Sequence, residues 1–327
     1  MSLSIKDVAL RAGCSIATVS RVLAGKGYIS EDARQKVEEA VKELGYRPNR
    51  VARSLRAQKS RVIGLVLSDI RNPFFSEISR AVEAVAFRHG YTVLMCNTDE
   101  DPKREELFLK LMEEEKVAGI LLSPTRANAK SLDPSVLPPL VLFDRKLPGA
   151  NLDSVVLDNE EAALKLTRTL LDGNYRKIAG IFGAKSFTAG ARIKGFQAAF
   201  QGLENRMAGI YQAPAFEEEG ARVMAEILRK EPTVDAVVCS SALLATGAYR
   251  TLRQSSSPIV AERGFVCFDD PSWASFVDPP VTVIRQPAKA MGEAAADLLM
   301  KRIEDPTRPV SEIVLQGELL DRSGQPK

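Results

Sequence analysis

The stretch CSIATVSRVL, residues 14–23, sets Ser15, Thr18 and Ser20 among Ile16, Val19, Val22 and Leu23, with Arg21 as its single charge. Small and hydroxyl-bearing side chains let a helix approach phosphates and base edges closely. In a helix capped by Ser15, Thr18 and Ser20 are expected to contact phosphates, and Ile16, Ala17 and Arg21 to project toward bases. A second stretch, YRPNRVARSLRAQKSR at 46–61, carries Arg47, Arg50, Arg53, Arg56, Lys59 and Arg61 and no acid. It is too short and too charged to hold itself as a free helix, and is expected to fold where phosphates neutralise it. Leu55, its one large apolar residue after Val51, is suited to wedge into a minor groove and kink a base step. The chemistry of both stretches is recognition of double-stranded DNA.

No enzyme chemistry competes with that reading. The single histidine, His89, ends an amphipathic helix without a matched nucleophile. Glycine-rich phosphate loops of the GxGxxG or GK[ST] kind are absent, and GKG at 25–27 is a turn between short helices. The four cysteines, Cys14, Cys96, Cys239 and Cys267, are far apart with no CxxC spacing. They are expected as reduced, mostly buried thiols, with no disulfide, metal or cofactor role.

The 327 residues suggest about two to three domains. A composition of 45% hydrophobic and 27% charged residues suits buried cores in water. No apolar run reaches the length of about 18 residues that a membrane span needs. The opening MSLSIKDVALRAG has charges in its first turns and no apolar signal core, so a cytoplasmic protein with no membrane partner is expected. The net charge of +3 hides an asymmetry. Residues 1–61 hold 13 basic and 6 acidic side chains, whereas the remainder is mildly acidic. A small basic head on an acidic body is expected to meet a polyanion.

The head divides into three helices. SIKDVALRAG begins at Ser4, with Asp7 placed for a capping box, Val8 and Leu10 as apolar positions and Gly13 as the stop. Ser15 caps the second helix, whose Val19, Val22 and Leu23 face inward. Ser30 caps a third, EDARQKVEEAVKELG, with Val37, Val41 and Leu44 as its stripe and Gly45 at its end. Two short helices joined through glycine and followed by a third form a helix-turn-helix unit.

From Arg61 the chain alternates. Strand-like runs VIGLVLSD, YTVLMCNTD, VAGILLSP, PLVLFDR, KIAGIFGA, AGIYQA, DAVVCSS and GFVCFDD are interleaved with helical patterns, among them PFFSEISRAVEAVAFRHG, a segment near 159–172, ARIKGFQAAFQG and ALLATGAYRTLRQ. Such alternation implies two α/β lobes built on parallel sheets. A ligand is expected at the carboxyl ends of the strands, between the lobes.

The segments IKDVA-x-x-AG-x-S-x-ATVSRVL-x-GKGY-x-S and ELGYRPN-x-x-ARSLR resemble the head and hinge of the LacI/GalR family of bacterial repressors. The body resembles the periplasmic sugar-binding fold that serves as that family's effector domain. The resemblance implies a helix-turn-helix domain at 1–46, a hinge at 47–60 and an effector-binding, dimerising domain at 61–327. Its first lobe is expected at about 61–158 and 288–319, its second at about 159–287. In the head it implies DNA contacts by Ser15, Ile16, Ala17, Thr18, Ser20 and Arg21, Ile16 and Ala17 being the recognition pair. In the hinge it implies contacts by Asn49, Ala52, Arg53 and Leu55. In the body, Phe74 and Phe75 match aromatics near the effector, Asp144 and Arg145 close the fourth strand, and Arg192 begins the ARIKGF helix at the ligand-gripping arginine. Asp269 matches the ligand carboxylate, Phe216 an aromatic that packs on a sugar, and Trp273 stands close behind Asp269.

One departure bears on the ligand. Where the family commonly has Asn-Asp, this sequence has Ser241 and Ala242. One carboxylate is lost, while Arg145 and Arg192 remain, with Arg285 and Lys185 near. More arginines and fewer acids favour an anionic effector, and FDDPSWASFVDPPVTVIRQP resembles the gluconate and ketogluconate responders of the family. The expectation is a homodimeric repressor controlled by a sugar acid or sugar. The alternatives are a regulator of the same fold that needs a corepressor, and a solute-binding protein.

Overall fold

The structure is a computed structural model. It describes residues 3–24, 29–46, 60–125, 137–147, 149–184 and 186–322. The chain divides into two compact units, residues 1–60 and 61–327.

The first unit contains helices α1 (Ile5–Ala12), α2 (Ile16–Ala24) and α3 (Glu31–Leu44). Ser4 and Asp7 form the capping box of α1, and Ser30 caps α3 through the Ala33 amide. Gly13 and Gly45 end α1 and α3 in the left-handed conformation at φ 60°, which glycine adopts without a Cβ penalty. Val8, Ala9, Ala12, Val19, Val37 and Ala40 form the core. Leu10 departs from the expectation: it is 85% exposed. Val8 and Leu10 are two residues apart, so a helix cannot turn both to one side.

The second unit has two lobes. In the first, strands β1 (Val62–Leu67), β2 (Thr92–Asn97), β3 (Ile120–Leu122), β4 (Leu140–Phe143), β5 (Asp153–Leu157) and β11 (Glu312–Leu315) lie in the order β11-β5-β4-β3-β1-β2. All its pairings are parallel. The second sheet runs β12-β10-β9-β8-β6-β7. It comprises β6 (Ile178–Gly183), β7 (Met207–Ala213), β8 (Ala236–Cys239), β9 (Phe265–Phe268), β10 (Thr282–Arg285) and β12 (Glu318–Leu320). It is parallel except where β12 runs against β10. Strands such as LVLF and FVCF are buried along their whole length, as continuous apolar runs must be when helices cover both faces.

Helices α4 (Pro73–Arg88), α5 (Pro102–Glu114) and α10 (Ala288–Glu304) serve the first lobe; α6 (Asn159–Asp172), α7 (Phe187–Ala199), α8 (Glu217–Lys230) and α9 (Ala242–Gln254) serve the second. Arg302 of α10 grips the buried Asp153 at the start of β5 through two bonds of 2.8 and 3.1 Å. The backbones of α8 and α9 meet directly: a Cβ on Gly247 would stand 1.8 Å from the Glu217 carbonyl oxygen.

The chain passes between lobes after β5, after β10 and between β11 and β12. The last crossing shifts one expected boundary. Residues 318–319, expected in the first lobe, belong to β12, where Leu319 stands opposite Ile284 in the second sheet. The three crossings lie on one side of the body, on or beside the β5–β11 and β10–β12 edges.

Candidate functional site: a reading helix and a polar cleft

At the start of α2, Ser15 Oγ accepts from the Thr18 amide at 3.1 Å and shares a 2.9 Å hydrogen bond with the Thr18 hydroxyl. The cap thus occupies the Thr18 hydroxyl as well. Ser15, Ile16, Ala17 and Arg21 are exposed, Thr18 and Ser20 half-buried, and Val19 fully buried. The first turn of α2 carries no acid, so its positive dipole end and exposed amides suit an anion such as phosphate. Asn49, Ala52, Arg53 and Leu55 lie outside the described residues.

In the body, polar side chains gather after the carboxyl ends of strands. Asp144 follows β4 at φ 64°, and Asp269 follows β9 at φ 65°. Both are buried non-glycine residues in the left-handed region, where strain of order 1–3 kcal/mol is held by surrounding bonds. Asp144 accepts from Ser123 Oγ at 3.3 Å and from Arg145 Nε at 3.1 Å. Arg145 in turn donates Nη1 to Glu100 at 2.7 Å and to the Pro124 carbonyl at 3.3 Å. Its other nitrogen meets Glu100 at 2.5 Å. Burial alone would lower the Arg145 pKa, but the bonds to Glu100 and the Asp144 charge outweigh it and hold the guanidinium more firmly protonated than usual. Burial lifts the Asp144 carboxyl above its ordinary range against the pull of Arg145 and Arg192.

Arg192 is on the second lobe. The expectation that it begins a helix needs correction: Ser186 caps α7 through the Ala189 amide, so Arg192 stands in the second turn. The buried guanidinium lies 4.0 Å from the centre of the Phe268 ring. Nε donates to Asn159 Oδ1 at 2.7 Å and Nη1 to the Ser240 carbonyl at 2.5 Å. Among the described residues Nη2 has no hydrogen-bond partner, yet it is not sealed from solvent. Arg192 therefore keeps one open donor edge. Burial lowers its pKa; Asp269 and Asp144 counteract that, one from each lobe. Asp269 is fixed by the Ala242 amide, which donates at 2.8 Å from the start of α9, and by Gln286 Nε2 at 2.7 Å. The buried Gln286 Oε1 has no hydrogen-bond partner among the described residues.

The structure thus brings Asp144, Arg145, Arg192 and Asp269 into one buried, interacting cluster. Phe74 and Phe75, at the start of α4, are buried edge to face with centroids 5.1 Å apart and belong to the core. Ser241 caps α9 through the Leu244 amide. Trp273 does not join the polar cluster: its ring stacks on Tyr249 at 4.7 Å and its Nε1 donates to Thr246, one turn along α9 from the Ala242 end. Arg285 pairs with Glu318 at 2.7 Å, and Lys185 lies outside the described residues. Sequence reasoning missed Glu100, Asn159, Ser240 and Gln286. Each directly follows a strand or stands within three residues of its end, and that position was the available signal. A separate cavity of about 770 Å³, lined by Lys165, Arg168 and Asp172, opens at the amino ends of β9 and β10, away from this cluster.

Among the described residues, no His, Cys, Asp or Glu group is placed to hold a metal ion, and no helix is long and apolar enough to cross a membrane. Cys239 and Cys267 are neighbours in register on β8 and β9. Burial pushes both thiols up, away from the reactive thiolate.

A three-helix DNA-reading unit followed by two parallel-sheet lobes around a polar cleft defines a ligand-binding regulator. Residues 60–317 match the family described as periplasmic binding proteins and sugar binding domain of LacI family, and residues 4–49 match bacterial regulatory proteins, lacI family. The chain belongs to the LacI family. It is a DNA-binding transcriptional repressor with a ligand-binding domain, and not an enzyme. It is 37% identical over 303 residues to the ribose operon repressor of Halalkalibacterium halodurans, covering 92% of this chain and 90% of that protein. It is 29% identical over 330 residues to the transcriptional repressor PurR of Aliivibrio fischeri, covering 98% and 97%. Among solved structures, the transcriptional regulator CelR in complex with cellobiose superposes with a TM-score of 0.72 at 28% identity, covering 98% of this chain and all of that one.

Proposed function

We propose that this repressor is a cytoplasmic homodimer whose grip on a pseudo-palindromic operator is released by a small neutral sugar bound between the lobes. Two heads read half-sites in the major groove through Ile16, Ala17 and Arg21, with phosphate contacts from Ser15, Thr18 and Ser20. The hinges meet at the centre, where Asn49, Ala52 and Arg53 track the groove and Leu55 opens a base step. The effector must bind the released state more tightly than the operator-bound one, since a ligand shifts an equilibrium only by its differential affinity.

The observation that carries the ligand assignment is the attraction of Arg192 to Asp269 of its own lobe and to Asp144 of the other lobe. Vicinal hydroxyls donate to a carboxylate and accept from a guanidinium, so this set fits a polyhydroxy ligand. Phe74 and Phe75 support the wall beside it, and Phe216 offers a ring to sugar C–H faces at the mouth. The name ribose operon repressor on relatives at 37% and 33% identity favours a pentose.

A second reading, gluconate or a ketogluconate, keeps one specific observation in its favour: Arg192 has no ion pair among the described residues. Against it, Arg145 is committed to Glu100 and Asp144. An acid would also bring its carboxylate among Glu100, Asp144 and Asp269. Titration calorimetry of the full chain with D-ribose, D-gluconate and 2-ketogluconate decides. Heat from ribose alone supports the neutral-sugar reading; heat from an acid alone replaces it; ribose binding that leaves operator affinity unaltered removes the release mechanism.

A further inference from the structure

Arg71 and Phe216 come from different lobes and touch. Arg71 follows β1 and is held on its own lobe by Asp69, with Nε at 2.8 Å and Nη2 at 3.0 Å from the two carboxylate oxygens. Asp99, beyond β2, lies 3.8 Å from the same guanidinium. Phe216 stands just ahead of α8 on the second lobe. The Arg71 guanidinium carbon sits 4.7 Å from the centre of its ring, within cation–π range. Glu218, in the first turn of α8, adds attraction from that side.

The place of this contact in the body matters more than its strength. The three chain crossings lie on the β5–β11 and β10–β12 side. Arg71 is at the other side, after β1 and beside edge strand β2, and Phe216 follows the opposite edge strand β7. The contact therefore spans the free side of the cleft, far from the crossings, where opening the lobes would move the walls most.

We propose that Arg71 and Phe216 form a latch across the mouth of the cleft that sets how fast the effector enters and leaves. The proposal rests on the reading that the effector binds between the lobes. Asp69 keeps the guanidinium aimed at the ring, so the latch is a preformed part of the first lobe that the ring meets on closure. Because it stabilises the closed lobes with and without ligand, its loss speeds both steps together.

Two measurements test it. Stopped-flow binding of D-ribose is compared among the unsubstituted chain, Arg71→Ala and Phe216→Leu. Association and dissociation rates are expected to rise together by about two- to fivefold. For Arg71→Ala, Kd is expected to stay within about twofold. For Arg71→Ala, a changed Kd with one rate untouched, or no change in either rate, overturns the latch. The second measurement needs no ligand: Arg71→Cys combined with Phe216→Cys is treated with a short bismaleimide. A link within one protomer is expected, seen as a mobility shift that the single substitutions lack. Absence of that link overturns the contact itself. If ribose fails to bind while the link forms, the effector assignment falls and the contact stands.

Discussion

The Arg192 guanidinium lies 4.0 Å from the centre of the Phe268 ring, and the residue after Phe268 is Asp269. One short strand end thus supplies the surface under the cation and a carboxylate beside it. Two of the nitrogens of Arg192 are committed to Asn159 and the Ser240 carbonyl, so its plane is set before any ligand arrives. A lysine keeps the charge but loses the planar fork. Arg192→Lys is expected to weaken effector binding at least about tenfold, equivalent to about 1.4 kcal/mol. Operator affinity without effector should stay within about twofold. Calorimetry and an operator gel shift on the same preparation check both.

Asp144 makes the free protein sensitive to pH in an unusual direction. Burial raises its folded pKa above the ordinary 3.8, opposed by Arg145 and Arg192. The fold then holds the proton more tightly than the unfolded chain does, so the stabilising contribution is present below pH 3.8 and is lost as pH rises through the folded value. Asp144→Asn has no such loss. Urea midpoints of wild type and variant between about pH 4 and 7 are expected to diverge in favour of the variant as pH rises. A gap that shrinks over that range contradicts the assignment.

The sequence disclosed elements better than it disclosed pairings. The three head helices were legible because Ser4, Ser15 and Ser30 cap them and Gly13 and Gly45 stop two of them. Runs such as LVLF and FVCF were legible because burial on both faces leaves no polar alternation. The DSVVL strand at 153–157 and the short strands 312–315 and 318–320 were not picked out. They are short, and partners distant in the chain define them: Glu312 pairs with Ser154, and Leu319 with Ile284. The site shows the same split. Asp144, Arg145, Arg192 and Asp269 were visible as polar residues at strand ends or on the helix that follows. The Glu100 partner of Arg145, 45 residues away, was not, and that partner is what weakens the inference of an anionic ligand from an arginine count. Trp273 stands out in the sequence by its place close behind Asp269, and nearness along the chain says nothing about which way a ring faces.

The α8–α9 contact should be the least forgiving glycine site of the body. A Cβ on Gly247 would overlap the Glu217 carbonyl at 1.8 Å, and one on Gly220 the Leu244 carbonyl at 2.2 Å. Both obstacles are backbone, which has no rotamer to yield. Gly247→Ala is expected to cost about 1–3 kcal/mol or more through overpacking. Gly190, on α7, has no neighbour within 4 Å of its Cβ position, so Gly190→Ala should be neutral or stabilising by about 0.4–1 kcal/mol. Urea unfolding of the two variants beside wild type tests the contrast. Equal destabilisation at both positions would mean that the close crossing does not govern the cost.

Arg53 and Leu55 stand two positions apart in the proposed hinge segment, and their roles should separate in a salt titration. Arg53 is assigned to backbone charge. Neutralising one phosphate contact lowers the magnitude of the slope of log affinity against log salt by about one. Leu55 carries no charge and is assigned to opening a base step, so its loss costs affinity at every salt concentration without altering counterion release. Leu55→Ala is expected to weaken specific operator binding by at least about tenfold with an unchanged slope, while effector binding is kept. Arg53→Gln is expected to weaken binding and flatten the slope. Fluorescence anisotropy with a labelled operator at 50 to 200 mM salt, on the order used for such titrations, reads both quantities together. A slope that changes with Leu55→Ala and not with Arg53→Gln would reverse the two assignments.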